Sequence, residues 1–252
     1  MDARTSRTPR LAKAKSAAGK ARTGGPKPAP VSTKPSADGS DLLHATVYDE
    51  LRKRFVTGRV MPESRLSTRR LAAELGVSQM PVREALRRLA AEGAVEIRSK
   101  RKIAVPEMTS TRFDDLLRCR MLLEPEAAEA AFPYISPALL KKLRETDKGM
   151  GVAMRTGDVG GYMEGNFNFH FLIYGAQPRR TLVQLIETLW LQFGPYMRVV
   201  YGRFGTANLV DQHRVAIACI EAGDAKGLRE AISTDISDGM GLIGTSGFEA
   251  TG

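Results

Sequence analysis

Two short stretches of helical apolar periodicity, separated by one glycine, constrain this chain more than any other feature. Ser67 precedes the first stretch, in which Leu71, Ala72 and Leu75 share one face. Gly76 follows as a C-cap, where a left-handed backbone costs glycine little. Ser78 is placed to cap the second stretch, and Pro81 falls in its first turn, where a missing N–H is tolerated. Val82, Ala85, Leu86 and Leu89 make the buried stripe, and Gly93 ends it. Two helices joined by a glycine-containing turn form a helix-turn-helix. With Val82, Ala85, Leu86 and Leu89 buried, Gln79, Arg83 and Arg87 share another face, the one a recognition helix offers to the DNA major groove.

The flanks complete a module. Val47, Leu51 and Phe55 recur at helical spacing before Gly58, and Met61-Pro62-Glu63 reads as a turn. Downstream, AVEIRSKRKIAV reads as a hairpin in which Val95/Ile97 and Ile103/Val105 alternate. Arg98, Lys100, Arg101 and Lys102 cluster at its tip, as in a wing that follows phosphates or enters the minor groove.

Charge supports this division. The chain of 252 residues carries 38 Lys and Arg against 28 Asp and Glu, a net +10. Residues 1–40 hold nine bases and two acids, residues 41–106 fourteen and eight, and residues 107–252 fifteen and eighteen. A basic tail and a basic first module thus precede a mildly acidic second module. The tail is rich in Pro, Gly, Ser and Ala and poor in large apolar residues, so residues 1–40 are expected to be disordered. It lacks the apolar core of a secretory signal. A faint likeness to a transit peptide is opposed by five prolines between positions 9 and 35. The remaining roles are a solvated tail or a basic arm adding nonspecific DNA affinity. No apolar run is long enough to span a membrane. Cys119 and Cys219 form no C-x-x-C pair, which disfavours a disulfide scaffold or a cysteine zinc site and suggests a reducing cytoplasm.

Six helices are expected in the remainder, over about 109–132, 137–155, 159–174, 179–202, 206–222 and 224–241. Short links carrying Pro133, Pro137, Gly157, Pro178, Gly205 and Gly223 suit an antiparallel bundle. Pro125 is expected to bend the first helix without splitting it. The fold class is therefore mainly α: a winged helix-turn-helix over 41–106, a six-helix bundle over 107–243, and a disordered end over 244–252. Phe167, Phe169, Phe171 and Tyr174 read as core and pocket wall, and His44 as a surface histidine.

The stretch LSTRRLAAELGVSQMPVREALRRLAAEGAVEIRSKRKIAV closely resembles the DNA-binding module of GntR-type bacterial transcription regulators. The resemblance implies DNA contacts by Arg69, Ser78, Gln79, Met80 and Arg83 and by wing residues Lys100, Arg101 and Lys102. Two departures stand out. The family usually has Arg-Thr where this chain has Gln79-Met80, which changes the base reader, and Gly where Lys102 stands. Lys53, Arg54, Arg87 and Arg88 read as solvated helix faces.

Arg120-Met-Leu-Leu-Glu124-Pro, Asn166-x-x-Phe169-His170, His213 and the terminal LREAISTDI resemble the all-helical ligand-binding domain of the FadR branch. The helix count is closer to its six-helix VanR-like form. In that branch one Asp and three His hold a metal. By position the set here would be Asn166, His170, His213 and Asp235, with Asn for Asp and Asp for His. Two imidazoles, a carboxylate and an amide oxygen suit one divalent ion, Zn²⁺, Mn²⁺, Fe²⁺ or Ni²⁺. Asn166 and His170 lie four apart on one helix face. A metal-free polar pocket is the alternative. Arg120 is the main candidate to grip an effector carboxylate, with Arg198 a weaker one.

The expectation is a cytoplasmic, nucleoid-associated homodimeric regulator. It would bind a pseudo-palindromic operator on double-stranded DNA, as a repressor tuned by a small carboxylate metabolite. An architectural DNA-binder and a metalloenzyme using His170, His213 and Asp235 are the competing classes. The sequence has no HExxH, GxSxG or P-loop pattern to support the latter.

Overall fold

The computed structural model describes residues 38–62, 64–99, 102–204 and 211–244. The two expected disordered ends lie outside these residues, apart from their inner edges. Helix α1 (Asp38–Val56) already begins at Asp38, and the last helix runs to Gly244. Lys100 and Arg101 also lie outside the described residues.

The head follows its sequence punctuation. After α1 come a short strand β1 (Arg65–Leu66), α2 (Thr68–Leu75), α3 (Gln79–Ala91), β2 (Glu96–Ser99) and β3 (Lys102–Ala104). Ser67 Oγ accepts from the Arg70 N–H and starts α2, and Gly76, at φ 65°, ends it. Leu71, Ala72, Val82, Ala85, Leu86 and Leu89 are buried against Val47, Leu51 and Phe55. These two stripes fix α2 and α3 on α1 through apolar burial, and so decide which face of α3 remains outside.

The strands form an antiparallel sheet in the order β1-β3-β2. Strand β1 carried no sequence signal, because two residues are too few to show alternation. The expected alternation of Val95 with Ile97 fails. Val95 is buried, but Ile97 is 44% exposed. Val95 precedes the strand, which begins at Glu96, so it is not held to the face of Ile97 by the ladder.

Six helices follow: α4 (Ser110–Ala131), α5 (Pro137–Thr156), α6 (Val159–Tyr174), α7 (Arg180–Phe204), α8 (Gln212–Ala222) and α9 (Ala225–Gly244). A 3-10 turn over Phe132–Tyr134 links α4 to α5. Thr109, Ser136, Asp158 and Asp211 each accept a backbone N–H at a helix start. Helix α4 runs unbroken through Pro125. Helix α4 packs on α9, α5 on α6, and α8 on α9, with α7 against α4. The core holds Leu143, Met163, Phe169, Ile173, Tyr174, Ile186, Trp190 and Phe193, all essentially inaccessible to solvent. Phe167 and Phe171 are half-buried and stack at 4.3 Å.

The head rests directly on the bundle. Gly194 of α7 meets the end of α1 so closely that a Cβ there would collide with the Phe55 carbonyl oxygen and Val56 Cα. Arg52 pairs with Glu187 at 2.7 Å, and Lys53 and Arg59 both pair with Glu164, at 2.6 and 3.0 Å. Arg112 Nη2 donates to the Gly93 carbonyl and to Gln192 Oε1, each at 3.0 Å. Tyr196 donates to the Pro106 carbonyl.

Candidate functional site

The outer face of α3 is set by what its inner face buries. Gln79, Met80 and Arg83 are exposed at its start, with Met80 at 55%. Arg69 is exposed on α2 and Arg65 on β1. Ser78 sits at the N-cap with extended backbone, yet its side chain makes no capping bond, so its hydroxyl stays available to an external acceptor or donor.

Ion pairing divides the arginines of the head into two groups. Arg54 pairs with Glu50 and Glu74, Arg70 with Glu74, Arg87 with Glu84, Arg88 with Glu92, and Arg98 with Glu96. Arg88 also lies 3.6 Å over the Tyr48 ring. Among the described residues, Arg65, Arg69 and Arg83 form no ion pair. Of the residues expected to meet DNA, Arg69 and Arg83 are thus unpaired, whereas Arg98 of the wing and the expected solvated faces Lys53, Arg54, Arg87 and Arg88 have acidic partners. Arg65 was missed in the sequence because the strand that displays it could not be recognised. Lys102 opens β3, opposite Ser99.

The second site lies inside the bundle. Helix α6 supplies Asn166 and His170, α8 supplies His213, and α9 supplies Asp235. His170 Nε2 is 3.1 Å from Asp235 Oδ2, and His213 Nε2 is 3.0 Å from Asn166 Oδ1 and 3.9 Å from Asp235 Oδ1. The four positions carried over by resemblance therefore do converge. Asn166, His170 and His213 are buried, and Asp235 is nearly so.

Electrostatics keep this cluster charged. Burial pushes the Asp235 carboxyl up, but the neighbouring His213, His170 and Arg120 side chains outweigh it and hold it at about 2. Burial opposes protonation of His213, yet Asp235, Asp211 and Asp147 raise it above the usual imidazole value. A carboxylate, an amide oxygen and two imidazole nitrogens facing one point form a donor set that fits a divalent cation. Three of these groups offer ligand atoms within 4.8 Å of one another.

Behind the cluster lies a buried network. Arg120 Nε donates to Glu124 Oε1 at 2.6 Å, and Glu124 Oε2 accepts from the Tyr174 hydroxyl at 2.9 Å and Trp190 Nε1 at 3.0 Å. Tyr174 in turn faces His170 Nδ1 at 2.9 Å. Only the i, i+4 spacings of Arg120/Glu124 and His170/Tyr174 hinted at it.

Arg120, Asn166, Phe193, Met197, Asp235 and Met240 are among the residues lining a cavity on the scale of a single water molecule. Arg120 reaches it with Nη1, which meets Met240 Sδ at 3.5 Å. Arg198 does not line this cavity. Its Cβ lies under Gly58 at the end of α1, because its position on α7 points to the head. Cys119 and Cys219 are free thiols, and burial, Asp224 and Glu230 push the Cys219 thiol up, away from reactivity.

Comparison with known proteins finds a family match for each of the two modules. Residues 43–105 match the model for bacterial regulatory proteins of the gntR family, and residues 115–238 match the FCD domain. The HTH-type transcriptional regulator McbR of Escherichia coli K12 is 28% identical over 204 residues, covering 80% of this chain and 92% of that protein. The gluconate operon transcriptional repressor of Bacillus subtilis is 25% identical over 224 residues, covering 80% and 89%. A solved structure of E. coli McbR/YncC superposes with a TM-score of 0.75 at 28% identity, covering 80% of this chain and 96% of that one. A GntR regulator from Rhodococcus sp. RHA1 shares the fold, with a TM-score of 0.66 at 20% identity, covering 81% and 99%. No described helix is long and apolar enough to cross a membrane. This chain belongs to the gntR family of bacterial regulatory proteins, with a winged helix-turn-helix head and a helical FCD domain.

Proposed function

We propose that the protein is a sequence-specific repressor whose hold on its operator is set by a small anionic effector in the FCD domain. The observation that carries the DNA half is the pairing pattern of the head: Arg69 and Arg83 lack the acidic partners that neutralise their neighbours. Arg83 would read guanine, Gln79 adenine, and Met80 the methyl group of thymine, while Arg69 and Ser78 hold phosphates. Lys100, Arg101 and Lys102 would extend the phosphate contacts along the wing. Repression follows the names of relatives such as the gluconate operon repressor. A homodimer would place two heads on a pseudo-palindrome.

In the bundle, Asn166, His170, His213 and Asp235 would hold one divalent ion. When bound, that ion supplies a Lewis-acidic centre for an effector carboxylate. Arg120 would offer the same carboxylate its Nη1, which now meets only the weak acceptor Met240 Sδ. Because the cavity is only water-sized, entry of a metabolite requires Met240 and Met197 to swing aside, which their unbranched side chains permit. Helix α7 carries Phe193 and Met197 on the cavity and Gly194 and Glu187 on the head, so rearrangement of the cavity wall reaches α1 directly.

The test is enrichment of duplexes from a randomised pool, followed by binding measurements at several salt concentrations. A defined motif with at least a hundredfold preference over random duplex supports the reading, since specific sites exceed nonspecific ones by about 10³–10⁷. Equal affinity for every duplex would leave only an architectural role.

A further inference from the structure

We propose that Tyr174 is a positioning residue for the cation cluster, selecting the tautomer of His170 that presents Nε2 to Asp235. The inference deepens the metal reading above and rests on it only for its consequence in metal affinity. The argument itself is a count of protons.

Glu124 is wholly buried and surrounded by donors. Arg120 and Trp190 can only donate, so the carboxylate spends its lone pairs on them. The Tyr174 hydroxyl has one proton, and it points at Glu124 Oε2, 2.9 Å away.

What Tyr174 shows to His170 is therefore an oxygen lone pair. The 2.9 Å contact is a hydrogen bond only if Nδ1 carries a proton. A neutral imidazole has one N–H, so its Nε2 is bare. Nε2 stands 3.1 Å from Asp235 Oδ2, which is also an acceptor. Two acceptors at that distance require a cation, either a second proton on the ring or a metal ion. The tyrosine thus leaves His170 in the state a metal ligand needs, the arrangement in which a ligating histidine gives its other N–H to an outer partner. The outer contact of His213 is longer and goes to a carboxylate. Its Nδ1 is 3.6 Å from Asp211, too far for a firm bond.

The experiment uses the full-length chain and Tyr174→Phe, which keeps the ring against Phe171. In metal-free protein, ¹⁵N–¹H spectra of the histidine rings report which nitrogen of His170 is protonated. Wild type should show protonated Nδ1, and Tyr174→Phe should lose it in favour of Nε2–H donating to Asp235. Zinc titrated calorimetrically into both should bind about 10–100-fold more weakly to the variant. Tyr134→Phe, an exposed tyrosine, should change neither readout. A bare Nδ1 in wild type overturns the proposal without recourse to any variant, and so does an Nδ1 proton equally retained in Tyr174→Phe. If wild type shows protonated Nδ1 but takes up no zinc, the positioning role stands and the metal reading falls.

Discussion

Removing Glu124 should cost this protein more stability than almost any other single change in the bundle. The side chain is 0% exposed, and Arg120, its partner at 2.6 Å, is 3% exposed. Glu124→Leu leaves the guanidinium without its counter-charge and strips Tyr174 and Trp190 of their acceptor. Breaking a buried pair from one side costs about 3–5 kcal/mol. The orphaned donors cost roughly 1–3 kcal/mol each, but they share one acceptor and relax together, so these losses do not add in full. For a chain of this size, each kcal/mol lowers Tm by roughly 2–4 °C, so a fall on the order of 10–15 °C is expected. Arg120→Met in the Glu124→Leu background should restore most of the loss, because replacing both charges by apolar groups of similar volume is often close to neutral. Thermal unfolding followed by circular dichroism on the two single variants and the double variant gives the full cycle. A drop below about 3 °C for Glu124→Leu, or a double variant worse than the singles combined, would refute the view that Glu124 is an ionised hub.

Other outcomes follow from the same contacts. Gly194→Ala places a methyl group against the Phe55 carbonyl and should cost about 1–3 kcal/mol by overpacking, read as a lower Tm, whereas Gly149→Ala meets open space and should not. Met80→Ser, which has no methyl group to offer, should abolish sensitivity of binding to thymine-to-uracil replacement in an enriched duplex; wild type should lose about fourfold when the contacted methyl group is removed, since one buried methylene is worth about 0.8 kcal/mol. His213→Ala should eliminate tight zinc uptake in calorimetry while leaving duplex affinity of the metal-free protein unchanged, and undiminished uptake would remove His213 from the ligand set.

How far the sequence could be read depended on the range of the interaction. Ser67, Gly76, Pro81 and Gly93 act within one turn of chain, so the helix-turn-helix was legible from its own punctuation. The six helices were legible for the same reason, through Pro137, Gly157 and Gly223 at their ends. Convergence of Asn166, His170, His213 and Asp235 came from resemblance, since nothing local says that three helices meet there. The Glu124 network was hidden because its bonds cross 50 and 66 residues, and i, i+4 pairs like Arg120/Glu124 occur on exposed helices too. Gly194 reads as a weak point in a helix until α1 is seen lying across it. Arg198 could not be placed from sequence, because a cation on an inward helix looks like a pocket residue until the rotation of α7 is known.

The central claim is that DNA is read by α3 through side chains that the head leaves unpaired. The most direct measurement compares Arg83→Ala with Arg87→Ala, one turn apart on that helix, for fluorescence-anisotropy affinity on an enriched duplex and on a scrambled one. Arg83 has no ion pair among the described residues and Arg87 holds Glu84 at 2.7 Å. A bidentate guanine contact is worth about 1–3 kcal/mol. Arg83→Ala should therefore weaken the enriched duplex about 10–100-fold and barely change the scrambled one, with Tm unaltered. Arg87→Ala should shift both duplexes alike and by less than about threefold. If the two variants behaved the same, or if Arg83→Ala kept the wild-type preference, the recognition face assigned to α3 would be wrong.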